Sequence, residues 1–439
     1  MPQIGYVPPD KWSVLDRGCV SAGQRAESPP LELSVRGLPY PGDVADSTIG
    51  ARIRERRGKV LTQRELAELA GVSVDLVRKL EQGARQTASI GSLQRIARAL
   101  DVDISDLVGR AAGLISDDPA AGVVAIRRAL MPVDDLLYEA IDHEDALAIE
   151  EARRTVDYAW GAYWAGRYEL LGGVLPPGLG QLRATVHAAP SSSQIEAHAL
   201  LARLYWVTGC TLVHLGQTDP AFLAIRQALL AAKGGDDPLL EATLRGAVSW
   251  QLLVQGRYDE SHGVAVRAAE SLEPQGEVDL PHLSAYGSLI LTAATAAGRN
   301  AQVQEAQSLV SSARGVANRI GSDRRDYETY FGPSQVAMQQ VDVHVVTENY
   351  GAALDAVRTM PRQPGLPPAA RARHLADQAL AYSRTGQYQR AFDALLTAER
   401  IGPDWIKYQT LPRQVVSELL AKDAIRPLRN FARRLGVHA

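Results

Sequence analysis

Cysteine is scarce in this sequence: Cys19 and Cys210 are the only two, far apart and in no ligand-like spacing. That scarcity argues against a disulfide framework and a structural zinc site, and it suits a reducing cytoplasm, where the protein is expected. No apolar run reaches the ~18 residues of a membrane span, so no membrane association is expected. Met1 to Ser13 lacks a basic end followed by an apolar stretch and does not read as a secretory signal. Phosphate-binding glycine loops, dinucleotide fingerprints, His-Glu-x-x-His and Gly-x-Ser-x-Gly are all missing. The densest group of candidate ligands is Asp142-His143-Glu144-Asp145, and adjacent residues on one helix cannot all face one ion. That run reads as a solvated helix face. No enzyme activity, metal or cofactor is expected.

What is present is the composition of a soluble globular protein, 46% apolar and 22% charged over 439 residues. At roughly 150 residues per domain, that length suggests two or three units. The net charge of −3 hides an asymmetry: residues 48–110 carry 12 Lys/Arg against 8 Asp/Glu, while the rest is acidic. A small basic unit on a larger acidic one suits a polyanion-binding head.

Three regions separate along the chain. Residues 1–47 hold seven prolines, show no helical or strand period, and are expected to be a disordered or poorly ordered extension. Residues 48–110 contain short helical segments. Ile49 and Ile53 share a face of the first, Ile49–Arg57. Thr62 and Glu65 form a capping box for the second, with Leu66, Leu69 and Ala70 as its buried face and Gly71 as its stop. Ser73 caps the third, Val74–Gln82, whose Leu76, Val77 and Leu80 turn inward and whose stop is Gly83. A fourth is expected over Ser92–Leu100 and a fifth over Ile104–Val108.

Residues 111–439 are helical in pattern and contain a degenerate repeat. In the clearest copy, Leu375–Pro403, the residues Ala379, Tyr382, Gly386, Tyr388, Ala391, Leu395, Ala398 and Pro403 match the tetratricopeptide pattern of paired antiparallel helices. Tyr388 and Leu395 are expected to fill the space beside the small Ala379 and Ala391. Turns between helices are expected near 166, 216, 256, 298, 348 and 386, the fourth at Gly298-Arg299-Asn300. No strand-like alternation competes, so the fold class is all-α, with a curved solenoid whose inner surface binds by its geometry.

The stretch Gln63 to Gly83 resembles the helix-turn-helix of the Xre/Cro family, which includes lambdoid phage repressors. The resemblance rests on Gln63, Leu66-Ala67, Gly71-Val72-Ser73, Val77, Leu80, Glu81 and Gly83, and continues through Arg85 and Ile96-Ala97-x-Ala99-Leu100-Asp101-Val102. It implies a five-helix, lambda-repressor-like domain whose third helix lies in the major groove of double-stranded DNA. Val74, Asp75, Arg78 and Lys79 fall on the solvent side of that helix, within reach of base edges. Arg78 or Lys79 suits guanine, Asp75 a cytosine amino group, and Val74 a thymine methyl. Gln63, Ser73 and Arg85 are candidate phosphate contacts, and Glu81 reads as a tether. Ser73 and Asp75 also have purely structural readings, as a cap and as a favourable charge at a helix N-terminus. One departure is Gln86-Thr87-Ala88-Ser89-Ile90, where the family usually places a Pro just after Arg85 and a shorter loop.

A head of this kind on a tetratricopeptide-like body is similar to two groups of regulators. One is the peptide-sensing regulators of Gram-positive bacteria. The other, nearer one is a group of actinobacterial regulators, suggested by Tyr330-Phe331-Gly332-Pro333-Ser334-Gln335-Val336 and an Ala/Arg-rich composition. The resemblance implies a homodimeric transcriptional regulator with a peptide, small-molecule or protein effector in the groove. Trp160, Tyr163, Trp164, Tyr205, Trp206, Trp250 and Tyr286 are candidate lining residues, or else packing between repeats. The alternative is a DNA-tethered interaction scaffold, antitoxin-like or an adaptor, with a folded partner in the groove. An enzyme with a DNA-binding head ranks behind both.

Overall fold

A computed structural model describes residues 48–58, 61–85, 88, 90–102, 107, 122–132, 146–422 and 426–437. The extension 1–47, the fifth head helix apart from Leu107, the Asp142–Asp145 run and the 86–90 loop apart from Ala88 and Ile90 lie outside those residues.

The head begins with α1 (Ile49–Arg57), α2 (Gln63–Ala70), α3 (Val74–Glu81) and α4 (Ile90–Ala99). Each start has a local cause. Thr48 caps α1 through the Ala51 N–H. Thr62 and Glu65 form the reciprocal capping box at 3.1 and 2.7 Å, and Gly71 closes α2 in the left-handed conformation. The buried face of α2 is Leu66, Ala67 and Ala70, whereas Leu69 is 64% exposed. At 100° per residue, Leu69 and Ala67 lie equally far, about 80°, to either side of the middle of the Leu66–Ala70 pair, and the head core lies on the Ala67 side.

The body is a series of helix pairs. After α5 (Val123–Leu130) they are α6 (Ile149–Trp164) with α7 (Tyr168–Ala188), and α8 (Gln194–His214) with α9 (Thr218–Ala232). Next come α10 (Pro238–Val254) with α11 (Tyr258–Glu270), and α12 (Leu280–Arg299) with α13 (Val303–Ile320). Then follow α14 (Pro333–Val346) with α15 (Tyr350–Val357), and α16 (Pro368–Arg384) with α17 (Tyr388–Ile401). The chain ends in α18 (Pro403–Lys407), α19 (Thr410–Leu420) and α20 (Arg426–Arg434). Ala379, Ala391 and Leu395 are buried between α16 and α17 as expected. Tyr388, however, is 39% exposed, while its counterparts Tyr168 and Tyr258 are buried. The five-residue α18 follows α17 in place of a full-length helix.

The turns within pairs fall where a residue takes a left-handed φ. Gly166, Gly216, Gly256 and Gly386 do so at 73–77°. In the fourth and fifth pairs Ala301 (62°) and Glu348 (60°) take that place. Gly298 is therefore not the turn. It lies inside α12, where an added Cβ would sit 3.2 Å from the Val346 side chain, so its smallness serves the approach of α14.

Two features were not read from the sequence. The array closes on itself: α16 and α18 return to α6 and α7, with the Trp405 side chain over Gly166 and one apolar core joining α5–α10 to α14–α20. Between α13 and α14, moreover, β1 (Arg324–Asp326) and β2 (Thr329–Phe331) form an antiparallel hairpin with Arg325 opposite Tyr330. Three-residue strands are too short to show an alternation.

Candidate nucleic-acid interface

The position of α3 is fixed from three sides. Leu76, Val77 and Leu80 are buried with Ile53, Leu66, Leu93 and Ile96 in a small core of the head. Ser73 Oγ accepts the Leu76 N–H at 3.2 Å, satisfying an N-terminal donor. At the other end, α1 passes so close that a Cβ on Gly50 would lie 1.7 Å from the Leu80 carbonyl oxygen. Gly50 was missed in the sequence reading; a glycine inside an otherwise regular helix was the available signal.

Glu81 is the knot of the head. Its carboxylate accepts from Arg57 Nε (2.7 Å) and Nη2 (2.9 Å) and from Gln63 Nε2 (2.8 Å), and its side chain is 2% exposed. Arg57 also donates to the Leu61 carbonyl at 2.6 Å. Burial alone would raise the Glu81 pKa, but the hydrogen bonds from Arg57 and Gln63 outweigh it and hold the carboxyl below its ordinary range. One side chain thus joins α1, α2 and α3, as expected of a tether.

The outer face of α3 carries Val74, Asp75, Arg78 and Lys79, all exposed, with Val74 at 43%. Asp75 accepts from both cations, from Lys79 Nζ at 2.7 Å and from the Arg78 guanidinium. Those two bonds, Lys79 first, hold its carboxyl below the ordinary range. The arrangement is a row of donors and acceptors about one helix turn long, which is what base edges in the major groove can pair with. Gln63 stands at the start of α2 with one amide hydrogen on Glu81, and Ser73 is exposed at the start of α3. Arg85 is placed differently: its charge acts on Tyr350 and Glu418 of the body.

The opposite side of the head rests on the body. Arg95 Nη1 donates to the Arg299 carbonyl and Arg98 Nη1 to the Gly256 carbonyl, each at 3.3 Å. The Arg299 carbonyl lies at the C-terminal end of α12, where the backbone dipoles favour a cation, and Gly256 is the turn between α10 and α11. Gln414 Nε2 donates to the Ala88 carbonyl at 3.0 Å. Arg299 in turn places its guanidinium on the buried Asp342, which also accepts from Arg373 and Gln339.

Of the body's candidate lining aromatics, Trp160, Tyr163, Tyr205 and Trp206 are buried in the packing. Trp164, Trp250 and Tyr286 keep partial exposure. Among the described residues no group of His, Cys, Asp and Glu could hold a metal ion, and no helix is long and apolar enough to cross a membrane.

Comparison with known proteins adds the following. A helix-turn-helix family profile matches residues 53–107. No curated protein sequence matches the chain. Among solved structures, BtubC (BKLC) from P. vanneervenii aligns over 58% of this chain and 89% of its own, at 16% identity and a TM-score of 0.34. Bacillus thuringiensis PlcR, solved in complex with the peptide PapR7 and DNA, aligns over 71% of this chain and 95% of its own, at 15% identity and a TM-score of 0.31. Residues 53–107 are a helix-turn-helix DNA-binding domain of the Xre type, and the described residues after it form mostly paired helices.

Proposed function

We propose that this protein is a sequence-specific transcriptional regulator built from a DNA-reading head, residues 48–110, and an effector and dimerisation body, residues 111–439. The observation that carries this reading is the outer face of α3. Val74, Asp75, Arg78 and Lys79 are its exposed residues, on a helix whose other side is locked by Glu81, Gly50 and the head core. In this reading Arg78 and Lys79 exchange Asp75 for guanine edges or phosphates, Val74 meets a thymine methyl, and Gln63 and Ser73 donate to the backbone. Arg85 acts at the junction with the body. Two heads in a homodimer would read half-sites about 34 Å apart. A ligand in the body would act through the contacts of Arg95 and Arg98.

The test is a mobility-shift titration against the protein's own promoter region, with sedimentation of the same samples. Arg78→Ala with Lys79→Ala is expected to lower specific affinity by about a hundredfold or more, since each good base contact carries roughly 1–3 kcal/mol. Unspecific binding falls less, and the complex sediments with two chains. Retained specific binding by the double variant would remove α3 as the reader, and a strict monomer on DNA would remove the dimer.

A further inference from the structure

The hairpin between α13 and α14 has a rigid root and a strained tip. At the root, Phe331 fills the space over Gly287, where a Cβ would lie 2.1 Å from its ring. Asp323 accepts from the Ser334 N–H (2.9 Å), the Ser334 hydroxyl (2.5 Å) and the Gly365 N–H (2.8 Å). Gly332 (φ 151°) and Gly365 leave room for that carboxylate to be enclosed. The segment Tyr330–Val336, conspicuous in the sequence, is thus the anchor of the hairpin. At the tip, Tyr327 and Glu328 form a two-residue turn with φ of 45° and 58°. Such turns favour Asn-Gly, because side chains resist the left-handed region.

The tip is held by Tyr327, which packs against both apolar cores of the body beside Asp237, and by the Glu328 carboxylate. Glu328 Oε1 accepts from Nε (2.7 Å) and Nη2 of Arg203, on α8, and Oε2 accepts from Arg325 Nη2 at 2.5 Å. The Glu328 side chain is 4% exposed, whereas Arg203 and its second partner Asp157 reach solvent. Beside them Trp164 meets Tyr330 edge-on, with ring centroids 5.0 Å apart. The indole N–H of Trp164 is buried and has no acceptor.

We propose that Arg203, Arg325 and Trp164 form a binding site for a ligand that carries a carboxylate next to an aromatic ring, and that the hairpin tip is its resident stand-in. Two guanidinium groups read the Glu328 carboxylate together, Arg203 converging two donors on Oε1 and Arg325 donating to Oε2, and a planar carboxylate of a ligand offers the same two oxygens. Trp164 supplies an aromatic wall and an unused donor. A resident held in a left-handed turn is bound against its own backbone preference, so a free carboxylate making the same bonds can replace it. The clamped root keeps the displaced tip nearby. Because the hairpin leans on α12 and α14, and α12 ends at the Arg299 carbonyl that holds Arg95, release of the tip reaches the head. The proposal rests on the reading of the body as an effector domain and supplies that ligand's chemistry.

The experiment uses the full chain with Tyr327→Asn and Glu328→Gly, a turn that accepts positive φ and vacates Arg203. Calorimetric titration with acetyl-Tyr-Glu-amide and with 4-hydroxyphenylacetate is expected to show binding at least about tenfold tighter than to the parent protein. Binding of the dipeptide alone points to a peptide ligand, and binding of the free acid alone to a small aromatic acid. Acetyl-Tyr-Gln-amide should not bind, and Arg203→Met in the same background should abolish binding. No binding of either probe at millimolar concentration overturns the site, as does equal binding of the Gln probe or retention by the Arg203 variant. If the double substitution fails to fold, Glu328→Gln takes its place with the same readouts. Specific DNA binding is measured on the same samples, so absent ligand binding with intact DNA binding overturns this site and leaves the head's assignment standing.

Discussion

At the scale of single residues, Glu81 shows how a side chain remote from base contact governs DNA reading. Glu81→Ala would leave the Arg57 guanidinium, itself 14% exposed, without its carboxylate in the heart of the head. Breaking one partner of such a pair costs about 3 kcal/mol, read as a lower urea midpoint of the head's transition. Glu81→Gln should cost less, since it keeps an acceptor for one Arg57 hydrogen. The folded Glu81 pKa is depressed, so its contribution is complete above the unfolded value near 4.3 and is lost as pH falls through the folded one. Unchanged stability of Glu81→Ala at pH 7 would sink this account. The four outward residues of α3 were legible because three buried ones fix the phase of a short helix. The partners of Glu81 were not, since nothing in a linear sequence says that Arg57 and Gln63 meet there. Leu69 was misassigned because it is apolar and as near in angle to Leu66 and Ala70 as Ala67 is, so only the position of the other helices decides which of the two is buried.

At the scale of elements, the pairs and most of their turns were legible, because a left-handed turn between helices favours glycine and glycine is easy to see. Where the chain uses another residue the signal disappears. Gly298 attracted the assignment, but it serves close packing, and the turn falls at Ala301. Ala301 and Glu348 each hold a φ near 60° that a side chain resists. Ala301→Gly and Glu348→Gly are therefore expected to stabilise the body by up to about 1 kcal/mol each, despite glycine's greater freedom in the unfolded chain. Gly166→Ala should do the reverse, and more strongly, because φ is 76° and the new Cβ would lie 2.8 Å from Trp405 Cβ. Thermal melts of the three variants check both signs; a lower Tm for both glycine variants would show that the turns are not strained. The hairpin stayed invisible for a different reason. Its strands are shorter than any period, and its turn carries Tyr-Glu rather than a turn dipeptide.

At the scale of the whole molecule, closure changes what the repeats are. An open array is quasi-one-dimensional and can fray from its ends, whereas here the last helices pack on the first. His214 sits in that seam, accepting from Gln409 Nε2 at its Nδ1 and meeting Tyr163 Oη at its Nε2, each at 3.2 Å, and stacking on Tyr168. Those partners suit a neutral ring with its hydrogen on Nε2, because a protonated Nδ1 would face another donor. Burial, with the charge of Arg373, takes the His214 pKa down to about 3, and burial takes that of His374 on α16 to about 4. The unfolded histidines bind protons below about pH 6.5 while the folded ones do not, so this stability is complete above that pH and is lost as pH falls. Asp377 works the other way. Burial outweighs Arg373 and raises it to about 6, so it gains its proton earlier in the folded protein and stabilises it as pH falls. At pH 5 each histidine costs about 2 kcal/mol and Asp377 offsets little more than 1, so acid wins by about 2–3 kcal/mol relative to pH 7. Urea unfolding at the two pH values should show that loss in one cooperative transition, and His214→Gln should remove about half of the histidine share. An unchanged midpoint at pH 5, or an unaltered pH slope in His214→Gln, would mean that the seam does not depend on a neutral imidazole.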